Sequence, residues 1–148
     1  MSDRFVIDPS VLIQGYVRES NSARVTTILR GLTTFEPDIL YAPEFCLVEC
    51  TNILWKHVRF HGMPVDTAQK AVEALSSLPL SLQSAIPILP RALSIGLNHR
   101  LPIYDSLYIA LAESLLCPLI TIDERQATAA RANNVLIKPI TDFAEFTG

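Results

Sequence analysis

The first apolar run, Phe5-Val6-Ile7, stops at Asp8-Pro9-Ser10, the pattern of a buried strand ending where a helix begins. Val11–Val17 and Ser22–Leu32 follow with helical character, broken around Ser20 to Ser22. Ile39–Ala42 predicts a second strand. Pro43 then opens a helix to about His61, with Gly62 as its stop. Along it Cys46/Leu47, Cys50, Ile53/Leu54 and Val58 recur every three or four residues and predict the buried side. Pro64–Ser77 reads as a helix started by the Asp66 region, Leu80–Ala85 as an alternating strand, and Pro87–Asn98 as a helix. Ile103–Leu116 predicts an amphipathic helix, Leu119–Ile122 a buried strand, and Glu124–Asn133 a helix. Val135–Ile140 predicts a last strand, before a short terminal helix near Phe143. Short strands alternating with helices predict an α/β fold, its mainly parallel sheet covered on both faces.

Composition narrows the class. No linker, repeat or low-complexity run divides the 148 residues, so residues 1–148 read as one domain. With 49% hydrophobic residues, 18% charged and a mean hydropathy of +0.30, the chain is not intrinsically disordered. The same excess of apolar residues predicts a self-association face and hence a homodimer. Twelve Lys+Arg against fifteen Asp+Glu gives −3, which excludes a basic sleeve for duplex DNA. It leaves room for an acidic site that meets nucleic acid through bound cations. Three cysteines, with no Cys-x-x-Cys, fit a reducing cytosol better than a disulfide framework. MSDRFVID reaches polar residues too soon to read as a signal peptide, and Leu101–Ile122 is interrupted by Asp105, Glu113 and Pro118, so neither a signal peptide nor a membrane span is expected. A cytoplasmic protein follows as the expectation.

Two strand ends share one grammar. FVID ends in Asp8 and LITID in Asp123, each directly before a helix. Parallel sheets bind ligands beyond the strands' carboxyl ends, where strand order reverses. Each aspartate alone is more simply explained as a helix cap, and Ser10 has the same ambiguity. Asp105 lies at the start of its helix, where an acid complements the helix dipole. Glu49 sits mid-helix, with Asn52 and Lys56 on its face. Together the four acids carry more than any one does. Converging carboxylates repel one another unless a cation sits between them, and all-oxygen ligands select hard ions such as Mg²⁺ or Mn²⁺.

The segments FVIDPSVLI, YAPEFCLVECTNILWK, LPIYDSLYIALAE and PLITIDERQATAA resemble the PIN domain, and among PIN domains the VapC-like toxins of bacterial toxin–antitoxin pairs. The resemblance runs over nearly the whole chain in the family's order. It implies a PIN-like three-layer sandwich and a metal-dependent ribonuclease, dimeric, with RNA as substrate and an antitoxin as a further partner. It carries the catalytic and metal-binding positions to Asp8, Glu49, Asp105 and Asp123. Ser10, Thr121 and Asn52 match the polar positions beside those acids. Arg125, two residues past Asp123, is a candidate for holding substrate phosphate. Pro9 departs from the family's pattern and would be expected to shift Ser10; Leu78–Pro90 matches nothing specific.

Other signals point elsewhere with less force. Cys46/Cys50 and His57/His61 have i, i+4 spacing, but the far members are too distant along one helix to share a zinc ion, and the cysteines read as packing. Lys56, His57, Arg59 and His61 form a basic cluster that suits a helix end or phosphate contact. Trp55 and the phenylalanines are dispersed and read as core. Lys138-Pro139 resembles a signalling receiver, but the acids do not fit one, and the Asp-x-Asp of aspartyl phosphatases is lacking. The main rival is a PIN-like module that binds RNA or protein without cutting it.

Overall fold

The computed structural model describes residues 2–148. Four parallel strands lie in the order β3-β2-β1-β4: β1 Arg4–Ile7, β2 Ile39–Pro43, β3 Ser81–Gln83 and β4 Leu119–Ile120. Seven α-helices surround them: α1 Pro9–Leu12, α2 Ser22–Arg30, α3 Phe45–His61, α4 Val65–Ser77, α5 Leu89–His99, α6 Ile103–Leu115 and α7 Glu124–Ala132. Phe5, Val6 and Ile7 are all buried although they point alternately to opposite sides, so both faces of the sheet are covered, as the sequence pattern predicts. This is the α/β sandwich expected from the alternation of elements.

The layout puts β1 between β2 and β4. Strand order therefore reverses at β1, and the crevice outside the β1 and β4 carboxyl ends becomes the natural ligand position. Asp8 follows β1 and Asp123 lies three residues past β4, so both stand at that edge.

Helix α6 carries the core. Ser106 through Ala112 are buried without interruption, and the helix packs on β1, β2, β4, α5 and α7. The amphipathic reading of this helix is corrected: a helix apolar nearly all round is an interior one. The buried Ser106 hydroxyl is satisfied, since it donates to the Pro102 carbonyl at 3.0 Å. Gly96 lets α5 approach, because a Cβ there would sit 2.8 Å from the Leu101 carbonyl oxygen. Gly62 closes α3 in the left-handed conformation with φ 73°, as its place in the sequence predicts.

Other boundaries differ from expectation. Pro43 ends β2 rather than opening α3. The segment after α1 tightens to a 3₁₀ turn over Ile13–Gly15, and Asp66 pairs with Lys70 at 3.3 Å instead of capping α4. Val135–Ile140 forms no strand. It meets β4 through one bridge, Leu119 to Ile137, because β4 offers two residues and Pro139 has no N–H to extend the ladder. Trp55, Phe60 and Phe35 are exposed at 56%, 65% and 100%, so they are not core. Among the described residues no helix is long and apolar enough to cross a membrane.

Candidate active site

Asp8 is buried at the end of β1 and turns the chain into α1. Its carboxylate accepts from the Val11 N–H at 3.3 Å, so it caps the helix. It also accepts from the Ser10 hydroxyl at 2.8 and 3.0 Å and from the Thr121 hydroxyl at 2.9 Å. The capping and site readings are thus compatible in one side chain. Pro9 does not displace Ser10; it occupies the first helical position, where its missing N–H costs nothing. Thr121 joins the two strand ends, for its oxygen also accepts the Asp123 N–H at 3.1 Å. Asp123 in turn caps α7 by accepting from the Gln126 N–H at 3.0 Å.

The electrostatics tie the other acids to this edge. Burial pushes the Asp8 carboxyl up to about 7, against the three hydrogen bonds that favour its charged form, and the charge of Asp105 pushes it further. Asp105, in the first turn of α6, is raised by desolvation and by repulsion from Asp123, while Arg125 pulls it back. Glu49 is raised by desolvation and by Asp105, opposed by the Tyr108 hydroxyl, which donates to it at 2.8 Å. Asp105 is therefore the hub: Asp8, Glu49 and Asp123 each interact with its charge. In all three raised acids desolvation leads, and among the described residues Arg125 is the cation that opposes it, at Asp105.

This donor set fits a hard divalent cation. It is all oxygen, short of positive charge, and drawn from four elements around one edge. Among the described residues no three Asp, Glu, His or Cys side chains already stand as a ready metal group. Asp8 accepts from Ser10 and Thr121, and Glu49 accepts from Tyr108 with one of its oxygens. Mg²⁺ suits such a site, because it binds through few carboxylates and keeps several waters.

The remaining expected residues divide. Ser10 and Thr121 are part of the cluster, as above. Arg125 reaches back to donate to the Arg100 carbonyl at 2.8 Å while facing Asp105 electrostatically. Asn52 is exposed and lines a cavity of about 440 Å³ with Glu49, Lys56, Phe45 and Tyr104. The cysteines at 46 and 50 are buried, as packing residues should be. Four residues escaped the sequence reading. Tyr108 holds Glu49, and its position three after Asp105 was the available signal. Gln126, 1% exposed, donates to the Asp105 carbonyl at 3.0 Å and so ties α7 to the start of α6; it stands three after an N-cap, where a glutamine ordinarily reaches back to its own helix. Phe45 and Tyr104 stack with ring centroids 5.1 Å apart and 6° between planes, a pairing between two helices that the sequence reading did not make.

The sequence matches the PIN domain family over residues 5–132. Ribonuclease VapC3 of Pyrobaculum aerophilum is 29% identical over 84% of this chain and 92% of that protein. A solved structure of a protein from Pyrobaculum aerophilum superposes with a TM-score of 0.68 at 21% identity, covering 96% of this chain and 94% of the other. VapBC-1 from nontypeable Haemophilus influenzae does so with a TM-score of 0.61 at 15% identity, covering 93% and 98%. At these identities the two structures speak to the fold.

Proposed function

The chain belongs to the PIN domain family, and from that premise we propose that it is a metal-dependent endoribonuclease whose cation is held by Asp8, Glu49, Asp105 and Asp123. The observation that carries this reading is the mutual repulsion of the acids around Asp105 with so little positive charge to relieve it. The likeness to a protein named ribonuclease VapC3 supports RNA as the substrate. When bound, Mg²⁺ or Mn²⁺ supplies a counter-charge for the phosphate and acidifies a water. The chain's own residues do the rest. Ser10 and Thr121 fix the Asp8 carboxylate, Tyr108 fixes Glu49, and Gln126 sets the start of α6 against α7. Arg125, anchored on the Arg100 carbonyl, offers its guanidinium to a substrate phosphate beside Asp105.

The same reading makes the protein the toxin of a toxin–antitoxin pair, active as a homodimer. The fold shared with VapBC-1 supports an antitoxin partner. Exposed apolar side chains support burial against other chains: Leu93 and Leu97 on α5, and Trp55 and Val65 on the α3–α4 pair. Purified chain, free of any copurifying protein, should cut single-stranded RNA in magnesium or manganese and stop in excess chelator. No cleavage under either metal would favour the PIN-like binding module instead.

A further inference from the structure

We propose that the cavity bounded by Phe45, Glu49, Asn52, Lys56 and Tyr104 is a subsite for one nucleobase of single-stranded RNA beside the cleaved bond, with Tyr104 as its stacking surface. The inference rests on the ribonuclease reading and names the part of the substrate that this surface grips.

The cavity is built from the same two helix starts that deliver the acids. Phe45 begins α3, one turn before Glu49, and Tyr104 immediately precedes Asp105 on α6. The cavity shares Glu49 with the acid cluster, so whatever fills it lies next to the reacting centre. Its volume of about 440 Å³ is within the range of small-molecule sites. Phe45 backs one side of the Tyr104 ring in a parallel stack, yet Tyr104 remains 56% exposed. Ring surface is thus left for a flat partner, and every base has a face that stacks on an aromatic ring.

Val48 and Ile53 also line the cavity, and the polar groups beside them suit the edge of a base. Asn52 and Lys56 stand three and seven residues after Glu49 and share its helix face. The Asn52 carboxamide both donates and accepts, and the Lys56 ammonium donates, which suits the edge of a base or its adjoining phosphate. Trp55 and Phe60, the other exposed aromatic pair, meet edge-on at 88°, and the groove beside Trp55 is lined mainly by aliphatic side chains. A flat stacking surface next to the acids is found at Tyr104.

The test uses single-stranded RNA carrying 2-aminopurine at alternate positions, titrated with the full chain in excess chelator so that nothing is cut. Stacking predicts fluorescence quenching by the wild type and by Tyr104→Phe. Tyr104→Leu, which keeps bulk without a π-face, should bind roughly tenfold or more weaker, with quenching lost. Circular dichroism checks that each variant is folded; should Tyr104→Leu fail to fold, Tyr104→Met replaces it. In magnesium, the variant's KM for RNA should rise with kcat within about threefold of wild type, and the difference should close on a substrate whose bases are replaced by abasic sites. Equal quenching and equal KM in wild type and Tyr104→Leu would overturn the subsite while leaving the ribonuclease intact. Quenching that depends on Tyr104, in a chain that never cuts RNA, would keep the subsite and sink the ribonuclease reading.

Discussion

Two groups of acids in this protein live under opposite electrostatic rules. At the far end of α6, Glu113 meets Arg91 through two hydrogen bonds of 2.8 and 2.9 Å, and the same guanidinium donates to Asn133 at 3.0 Å. Arg91 holds the Glu113 carboxyl below its ordinary value. At the near end Asp105 is held above its own, pushed by burial and by Asp123, with Asp8 and Glu49 raised in the same way. One helix thus presents a neutralised carboxylate that ties α5 to α6 and an under-compensated one. A fold has no reason to gather repelling charges for its own stability, so the second group is where function is to be sought.

The comparison breaks most easily at Asp8. Asp8→Asn should lower RNA cleavage by at least a hundredfold in magnesium, because the cluster loses a full charge while keeping its shape. Activity at the wild-type rate in a preparation free of contaminating nuclease would end the metal-site reading. Glu113→Gln, tested alongside, should leave the rate unchanged.

The same Asp8 substitution sharpens the contrast through stability. The folded-state value of about 7 lies above the ordinary 3.8, so ionising Asp8 works against the metal-free fold. Its favourable contribution is complete below about pH 4 and is lost as pH rises through 7. Asp8→Asn should therefore raise the Tm of metal-free protein by several degrees at pH 8 and change it little near pH 4. A Tm lowered equally at both would mean that Asp8 serves only as a cap. Glu113 has the reverse sign: its value is depressed, so its pair stabilises at neutral pH and weakens as pH falls through the carboxylate range.

A smaller effect is expected at Tyr108. Removing its hydroxyl, which lowers the Glu49 value, lets that value climb. Tyr108→Phe should shift the acid limb of the cleavage pH profile upward and reduce the rate several-fold below neutrality. An unmoved limb would take Glu49 out of the cluster. Smallest of all, Glu113→Gln should cost about 1 kcal/mol or less at pH 7, since the pair is partly exposed. A larger loss in chemical denaturation would make the far end more than a surface tie.

The strands β1 and β2, and the helices that follow them, were legible because period and punctuation agree there. Phe5–Ile7 is apolar on both faces, and Gly62 ends α3 where a left-handed residue is needed. Val135–Ile140 misled because its apolar run has one short neighbour to pair with, a tertiary fact no local pattern carries. The acids were visible one at a time as strand ends and helix starts. Their common neighbourhood depends on strand order, which places β1 beside β4. Tyr108 and Gln126 act on residues 59 and 21 positions away, so their roles appear only once α6 and α7 have packed. The Phe45–Tyr104 stack was hidden for the same reason, its two rings coming from different helices.

The most direct test of the central claim is a calorimetric titration of the metal-free chain with Mn²⁺ at neutral pH, beside Asp8→Asn and Glu113→Gln. Saturable binding by the wild type and by Glu113→Gln, weakened at least tenfold in Asp8→Asn, is the predicted result. No saturable binding by the wild type at millimolar Mn²⁺, or equal affinity in all three proteins, would contradict it.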